Sequence, residues 1–348
     1  MEYKLRFNGT APAWPLLLGQ PGKFYDPSGN DSLGSVSYSI IVSSAGGERY
    51  ELLIDAGHNT VPFLLRNGNH IPNAIILTHA HADHVLGVDW IIQSFHVKYP
   101  DRKYPVYCSE GVRKKFIELY PYLDAHISFV HFSYGKSITI EEIPGLLVTP
   151  YPVFHGKTTA GATMLYLEHM SSEMKPVIIT GDLLCPLLRN KDWKKIAQAG
   201  VLCIEMNNRF PYPASTHISF TGKNPGTGDT DKRLKDWFAQ TSVTGLMLPH
   251  AGMGPGKPDE YLDEFRTDIA NAGELPHTVI DFLKKVPVPD VYLVHYYGMY
   301  DKANYNEEIL DRPRLKEWAN VLVKNEGLGG TTVHIPQPGL GIELSRQA

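Results

Sequence analysis

The sequence predicts a layered α/β domain, and two observations carry that reading. Short apolar runs rich in β-branched residues recur along the whole chain, and amphipathic helical patterns stand between them. The runs are Ser37 to Val42, Tyr50 to Ile54, Ala74 to Leu77, Val106 to Cys108, Leu146 to Val153 and Pro176 to Thr180. They continue with Val201 to Glu205, Gly245 to Leu248, Val291 to Val294, Thr331 to Ile335 and Gly341 to Leu344. Gly, Pro, Asn and Asp punctuate them, which marks them as strands closed by turns. Val85, Val88, Ile91, Ile92 and Phe95 repeat at helical spacing and define an amphipathic helix. Gly111 to Tyr120, Asp231 to Gln240, Pro258 to Ala270, His277 to Lys285 and Arg312 to Lys324 are further helices. No linker or repeat divides the 348 residues, so 1–348 reads as one domain, with Thr221 to Thr230 as an insertion boundary.

With 33 Lys+Arg against 37 Asp+Glu the formal charge is −4, and hydrophobic residues make up 43%. That balance is globular, and it offers no bulk attraction for nucleic acid. The apolar runs are too short to span a bilayer, and Met1-Glu2-Tyr3-Lys4-Leu5-Arg6 lacks a secretory apolar region. The expectation is a cytoplasmic protein that neither enters a membrane nor takes a nucleic-acid partner. Cys108, Cys185 and Cys203 are far apart and show no CxxC spacing, so they read as reduced, buried thiols. Histidine is the abundant unusual residue, at 15.

The strongest chemical signal is Thr78-His79-Ala80-His81-Ala82-Asp83-His84. It follows an apolar strand and precedes an amphipathic helix, so it occupies a strand-to-helix loop, where α/β scaffolds carry site residues. Alternating His79 and His81 project to one side of an extended backbone, and Asp83 and His84 turn away as the helix begins. Two adjacent ions suit these four groups better than one. Imidazole and carboxylate ligands without thiolates point to a borderline divalent metal, zinc first, with manganese or iron as alternatives. Further ligands stand at strand ends: His155 after Leu146 to Val153, Asp182 after Pro176 to Thr180, and His295 after Val291 to Val294.

This pattern resembles the metallo-β-lactamase superfamily of metal-dependent hydrolases. Its His-x-His-x-Asp-His signature stands here as His79, His81, Asp83 and His84. Phe7-Asn8-Gly9-Thr10-Ala11-Pro12-Ala13-Trp14-Pro15 resembles the opening strand and glycine loop of its phosphodiesterase-like branch, and Leu53-Ile54-Asp55-Ala56-Gly57 the strand before the metal loop. The resemblance is specific over residues 1 to about 185 and weaker over 200–348. It implies a four-layer αββα sandwich with two metals at the sheet ends. One metal would be held by His79, His81 and His155, and the other by Asp83, His84 and His295, with Asp182 bridging. Asp55 would orient a histidine of the metal loop.

Cys203-Ile204-Glu205-Met206-Asn207-Asn208, leading to Pro213-Ala214-Ser215-Thr216-His217-Ile218-Ser219, resembles a segment of tRNA 3′-end-processing ribonucleases and class II cyclic-nucleotide phosphodiesterases. The resemblance makes His217 and Asp83 the catalytic groups, His217 protonating the leaving oxygen or binding phosphate. His250 competes with His295 as the last ligand; the helix-then-strand ending after His295 favours the latter. Residues 223–272 then read as an insertion, a lid or a homo-oligomer contact. No long Gly/Pro-rich arm for gripping tRNA is evident, and no flavodoxin-like domain. Ala251 to Pro258 fails the phosphate-loop pattern, and no Gly-x-Ser-x-Gly elbow occurs. The expected activity is hydrolysis of a small-molecule phosphodiester, a cyclic phosphate or nucleotide, with the metals activating a shared water. The alternative is a lactone, thioester or other carboxylic ester at the same centre; a metal-holding scaffold without turnover is the non-enzymatic reading.

Overall fold

The computed structural model describes residues 1–12, 34–156, 159, 161–212, 215–223, 225, 260–272 and 275–346. Strands β1 (Glu2–Gly9), β2 (Ser37–Ser43), β3 (Arg49–Ile54), β4 (Ala74–Ile76), β5 (Tyr104–Cys108) and β6 (Ile127–His131) build a first sheet. Strands β7 (Ile138–Thr139), β8 (Leu146–Phe154), β9 (Thr163–His169), β10 (Val177–Ile179), β11 (Cys185–Pro186), β12 (Val201–Glu205), β13 (Asp290–Val294) and β14 (Thr332–His334) build a second. The last strand, β15 (Gly341–Glu343), returns to the first sheet, whose order is β15-β1-β2-β3-β4-β5-β6. The second runs β11-β8-β9-β10-β12-β13-β14, with β7 pairing β8.

Each sheet begins antiparallel and ends parallel. β1 to β3 pair antiparallel and β3 to β6 parallel; β8 to β10 pair antiparallel and β10, β12, β13 and β14 parallel. A strand that is parallel to its neighbour needs a crossover, and helices supply it. Helices α1 (Thr60–Arg66), α2 (Ala82–Val85), α3 (Val88–Lys98) and α4 (Glu110–Leu119) follow strands of the first sheet. Helices α5 (Asn190–Ile196), α6 (Glu260–Ala272), α7 (Val279–Lys285), α8 (Met299–Tyr305) and α9 (Arg312–Asn325) accompany the second. Side chains set where several begin: Ser109, Thr278 and Asp311 accept hydrogen bonds from the third backbone N–H beyond them, at the starts of α4, α7 and α9.

Three apolar layers hold these pieces together. Between the sheets, Tyr3, Leu5, Phe7 and Ile40 pack with Leu165, Leu167, Ile179 and Cys203. Outside the first sheet, Leu53, Ile75 and Val106 pack against Val88, Ile92 and Phe95 of α3 and Phe116 of α4. Outside the second, Ile178, Leu202 and Leu293 pack against Phe265 of α6, Phe282 of α7 and Leu315 of α9. The result is the expected αββα sandwich, with helices on both outer faces. All three cysteines are free and buried, as expected. Among the described residues no helix is long and apolar enough to cross a membrane.

Several elements were not legible beforehand: strands β6, β7, β9 and β11, and the short helices α1, α5 and α8. Asp231 to Gln240, Gly245 to Leu248 and His250 lie outside the described residues. Of the 223–272 segment, α6 places Tyr261, Leu262 and Phe265 in the outer core of the second sheet. Arg189 stacks on the Tyr261 ring at 4.0 Å, and Tyr261 donates to Asp192.

Candidate metal centre

The His79 to His84 loop leaves the carboxyl end of β4, held against the end of β3. The backbone N–H of Ala56 donates to the His84 carbonyl at 2.8 Å, and that of Gly87 to the Ala56 carbonyl. Gly57 has no side chain because none fits: a Cβ there would lie 1.5 Å from the Asp83 carbonyl oxygen. Asp55, in a left-handed conformation at φ 55°, turns its carboxylate under the loop. It accepts from the Thr78 N–H at 2.8 Å and the Thr78 hydroxyl at 2.6 Å, and bonds His84 Nδ1 at 2.8 Å. His84 Nε2 is thereby aimed into the site. His81 is the extended residue before α2, so His79 and His81 share one side before the chain coils.

The second sheet brings the remaining groups. His155 follows β8, Asp182 follows β10, Glu205 ends β12 and His295 follows β13. Gly181 at φ 57° makes the turn that swings Asp182 inward, packed against Thr78. His295 itself holds φ 65°, a strained conformation for a residue with a Cβ.

Ligand atoms of His79, His81 and His155 lie within 4.8 Å of one another, as do those of Asp83, His84, Asp182 and His295. Asp182 Oδ2 belongs to both neighbourhoods. It is 3.3 Å from His295 Nε2, 3.4 Å from His84 Nε2, and 3.8 Å from the Nε2 atoms of His79 and His155. Asp83 Oδ2 stands 3.4 Å from His84 Nε2 and 3.6 Å from His295 Nε2. Most of these separations are longer than good hydrogen bonds. They match the roughly 3.4 Å between two ligands of a tetrahedral ion with bonds near 2.1 Å. The Nε2 atoms of His79, His84 and His295 are buried and have no hydrogen-bond partner among the described residues. Buried polar atoms are nearly always paired, so three orphaned nitrogens facing shared carboxylates fit a divalent metal. Neighbouring groups fix the rings: Thr216 O bonds His155 Nδ1 at 3.1 Å, Thr159 Oγ1 bonds His81 Nε2 at 3.0 Å, and Thr78 Oγ1 lies 3.1 Å from His79 Nδ1.

Charge balance agrees. Burial lowers His79 and His81, and lowers His155 to about 3, so these imidazoles are neutral at pH 7, the form that ligates metals. Burial also opposes the charges of Asp83 and Asp182, yet facing His84 and His295 hold both carboxyls well below the usual range. Against its own burial, Asp182 raises His295 to about 10. The carboxylate pair therefore demands positive charge nearby, for which metal ions and protons compete.

Glu205 and His217 pair within the same cluster, their ligand atoms and those of Asp182 and His295 lying within 4.8 Å of one another. Glu205 Oε2 and His217 Nδ1 are 2.6 Å apart, and the other Glu205 oxygen accepts from the Leu183 N–H. Burial, reinforced by Asp182, raises Glu205 well above the carboxylate range, and burial lowers His217 to about 4. His217 keeps 20% of its side chain exposed, where His79, His84, His155, Asp182, Glu205 and His295 keep 2% or less.

The model of a β-lactamase superfamily domain matches residues 50–175, the stretch from β3 through the metal loop and His155. Over that stretch the chain is similar to β-lactamase superfamily domains. Solved structures agree on the fold. The metallo-β-lactamase fold protein YhfI from Bacillus subtilis is 15% identical, with 98% of this chain and 99% of that one covered and a TM-score of 0.56. A diphosphatase from the PhnP family is 15% identical, with 99% of each chain covered and a TM-score of 0.58. The short form of human tRNase Z is 13% identical, with 99% of this chain and 100% of that one covered and a TM-score of 0.51. No curated protein matches the sequence.

All seven residues expected as ligands in this metallo-β-lactamase fold converge, and His217 stands beside them, its ring 4.7 Å from that of His155 and 4.8 Å from that of His295. Asp55 contacts His84 as anticipated. Three contributors escaped the sequence reading as site residues. Glu205 carries the same signal as Asp182, an acid closing an apolar strand. Thr78 and Thr159 act through hydroxyls that no spacing rule flags.

Proposed function

We propose that the protein is a metal-dependent phosphodiester hydrolase with two divalent ions. His79, His81 and His155 hold one, Asp83, His84 and His295 the other, and Asp182 both. The bound ions supply a nucleophilic water of lowered pKa and neutralise charge on the phosphoryl oxygens. The protein's own groups arrange the rest. Asp55, Thr78, Thr159 and the Thr216 carbonyl fix the ligand rings before anything binds.

The Glu205–His217 pair gives the centre a proton donor for a leaving alkoxide, which a phosphodiester and a carboxylic ester release alike. A Glu205 held protonated donates to His217 Nδ1, which puts the ring's own proton on Nε2. His217 passes that proton to the leaving oxygen and takes the Glu205 proton in exchange, so the pair ends as neutral imidazole and carboxylate. The partly exposed ring of His217 suits this task. Likeness to a diphosphatase and a tRNA-processing enzyme supports phosphate-ester chemistry; the −4 charge favours a small substrate over a polynucleotide.

The test is hydrolysis of bis-p-nitrophenyl phosphate by chelator-stripped protein reloaded with Zn²⁺ or Mn²⁺. Metal-dependent turnover is expected. Turnover of lactones or thioesters without any phosphodiester cleavage would overturn the reading in favour of ester hydrolysis.

A further inference from the structure

Beyond the metal cluster, the chain leaving β12 and the chain leaving β13 run over the same edge of the second sheet. The backbone N–H groups of Tyr297 and Gly298 both donate to the Asn207 carbonyl, at 3.0 and 3.1 Å, and lock the two paths together. Tyr212 of one meets Tyr300 of the other face to face. Their ring centroids are 4.0 Å apart and their planes 6° from parallel. Parallel stacking is one of the arrangements aromatic pairs favour. Backbone bonds from both segments hold this stack in place. Asp301, beside Tyr300, accepts from the Arg209 and Phe210 N–H groups at 2.9 and 3.1 Å, and Tyr305 donates to the Pro211 carbonyl. The Ser215 N–H donates to the Tyr212 carbonyl at 2.9 Å. Both tyrosines remain partly exposed. Tyr300 is five residues past His295 and Tyr212 five before His217, so neither Cα is more than about 18 Å from a residue of the cluster.

We propose that Tyr212 and Tyr300 form a stacking platform for a planar ring of the substrate, so that the centre takes nucleoside-bearing phosphodiesters in preference to alkyl ones. The platform rests on the phosphodiester reading above and names the substrate class. Its rigidity is the reason for the assignment: a pair fixed by two loops presents its outer ring face without ordering cost at binding. Stacking a base on an aromatic side chain is worth on the order of tenfold in affinity or more, and tolerates any base.

AMP and ribose 5-phosphate share phosphate and sugar and differ by the adenine. Calorimetry on the zinc-loaded protein should give AMP at least tenfold tighter. Tyr212→Leu and Tyr300→Leu should each bring AMP to within threefold of ribose 5-phosphate, whose own affinity does not move. Tyr212→Phe should keep the preference, since the ring and not the hydroxyl stacks, and it retains the packing if the leucine variants fail to fold. AMP binding no tighter than ribose 5-phosphate, binding of neither, or equal losses of both ligands in a leucine variant overturns the platform. Wild-type turnover of bis-p-nitrophenyl phosphate separates the two claims. Turnover without an adenine preference rejects the platform alone; an adenine preference without turnover rejects the hydrolytic chemistry alone.

Discussion

Asp182 is the residue on which the centre turns. One oxygen, Oδ2, lies within 3.8 Å of imidazole nitrogens from His79, His84, His155 and His295. Asp182→Ala should therefore lose metal and turnover together, with metal content read by elemental analysis and activity at background; an active, metal-free variant would reject the assignment. Asp55 holds His84 and Thr78 through its carboxylate. Asp55→Ala should weaken metal affinity by roughly 10–100-fold while retaining residual turnover at saturating zinc. Glu205 and His217 should behave as a unit. If they share one proton, His217→Ala slows phosphodiester cleavage by about 10²–10⁴-fold and adding Glu205→Gln costs little more. Additive losses would mean separate roles. The seven proposed ligands were legible because each sits in the metal loop or just past an apolar run. Glu205 stands in the Cys203 to Asn208 segment, yet an acid at a strand end has no role until the fold shows which histidine it faces.

At the level of elements, legibility followed hydrophobic pattern. β2, β3, β12 and β13 announced themselves through β-branched runs. β9, Thr-Met-Leu-Tyr-Leu-Glu-His, is buried along nearly its whole length, shows no alternation and has Thr163 as its one β-branched residue, so period rules do not reveal it. α1, α5 and α8 have seven residues each, too short for a helical period to emerge. α8 matters despite its length, because Asp301 ties it to the 207–212 segment. That carboxyl is fully buried, with Arg209 Nε 3.5 Å away and the Tyr296 phenol nearby, and burial raises it from 3.8 to about 6. Below pH 3.8 the group is protonated folded or unfolded. As pH rises toward 6 the unfolded chain releases its proton first, so the folded state loses stability, and above 6 the loss is complete. At about 1.4 kcal/mol per pH unit the ceiling is roughly 3 kcal/mol. Asp301→Asn removes this slope. Denaturant titrations should show the variant gaining on the wild type between pH 4 and 6; a constant difference across that range would refute the account.

Across the whole molecule, the two sheets meet through an apolar core and again at the metal centre. The first sheet supplies His79, His81, Asp83 and His84; the second supplies His155, Asp182 and His295. Ions held by these groups would tie the halves together at an edge where the apolar interior gives way to buried polar side chains. Binding to the folded state alone stabilises it by about 2.7 kcal/mol at a free metal concentration of 100 Kd. In a chain this long each kcal/mol moves Tm by only about 2 °C or slightly less, so chelation should lower Tm by several degrees and added zinc should restore it. A ligand lost from either sheet should abolish that response: neither His84→Ala nor Asp182→Ala should gain Tm from zinc. The same zinc-dependent rise persisting in both variants would place the stabilising metal elsewhere and remove the link between the sheets. A rise persisting in one alone would show that the groups of a single sheet suffice to hold the ion.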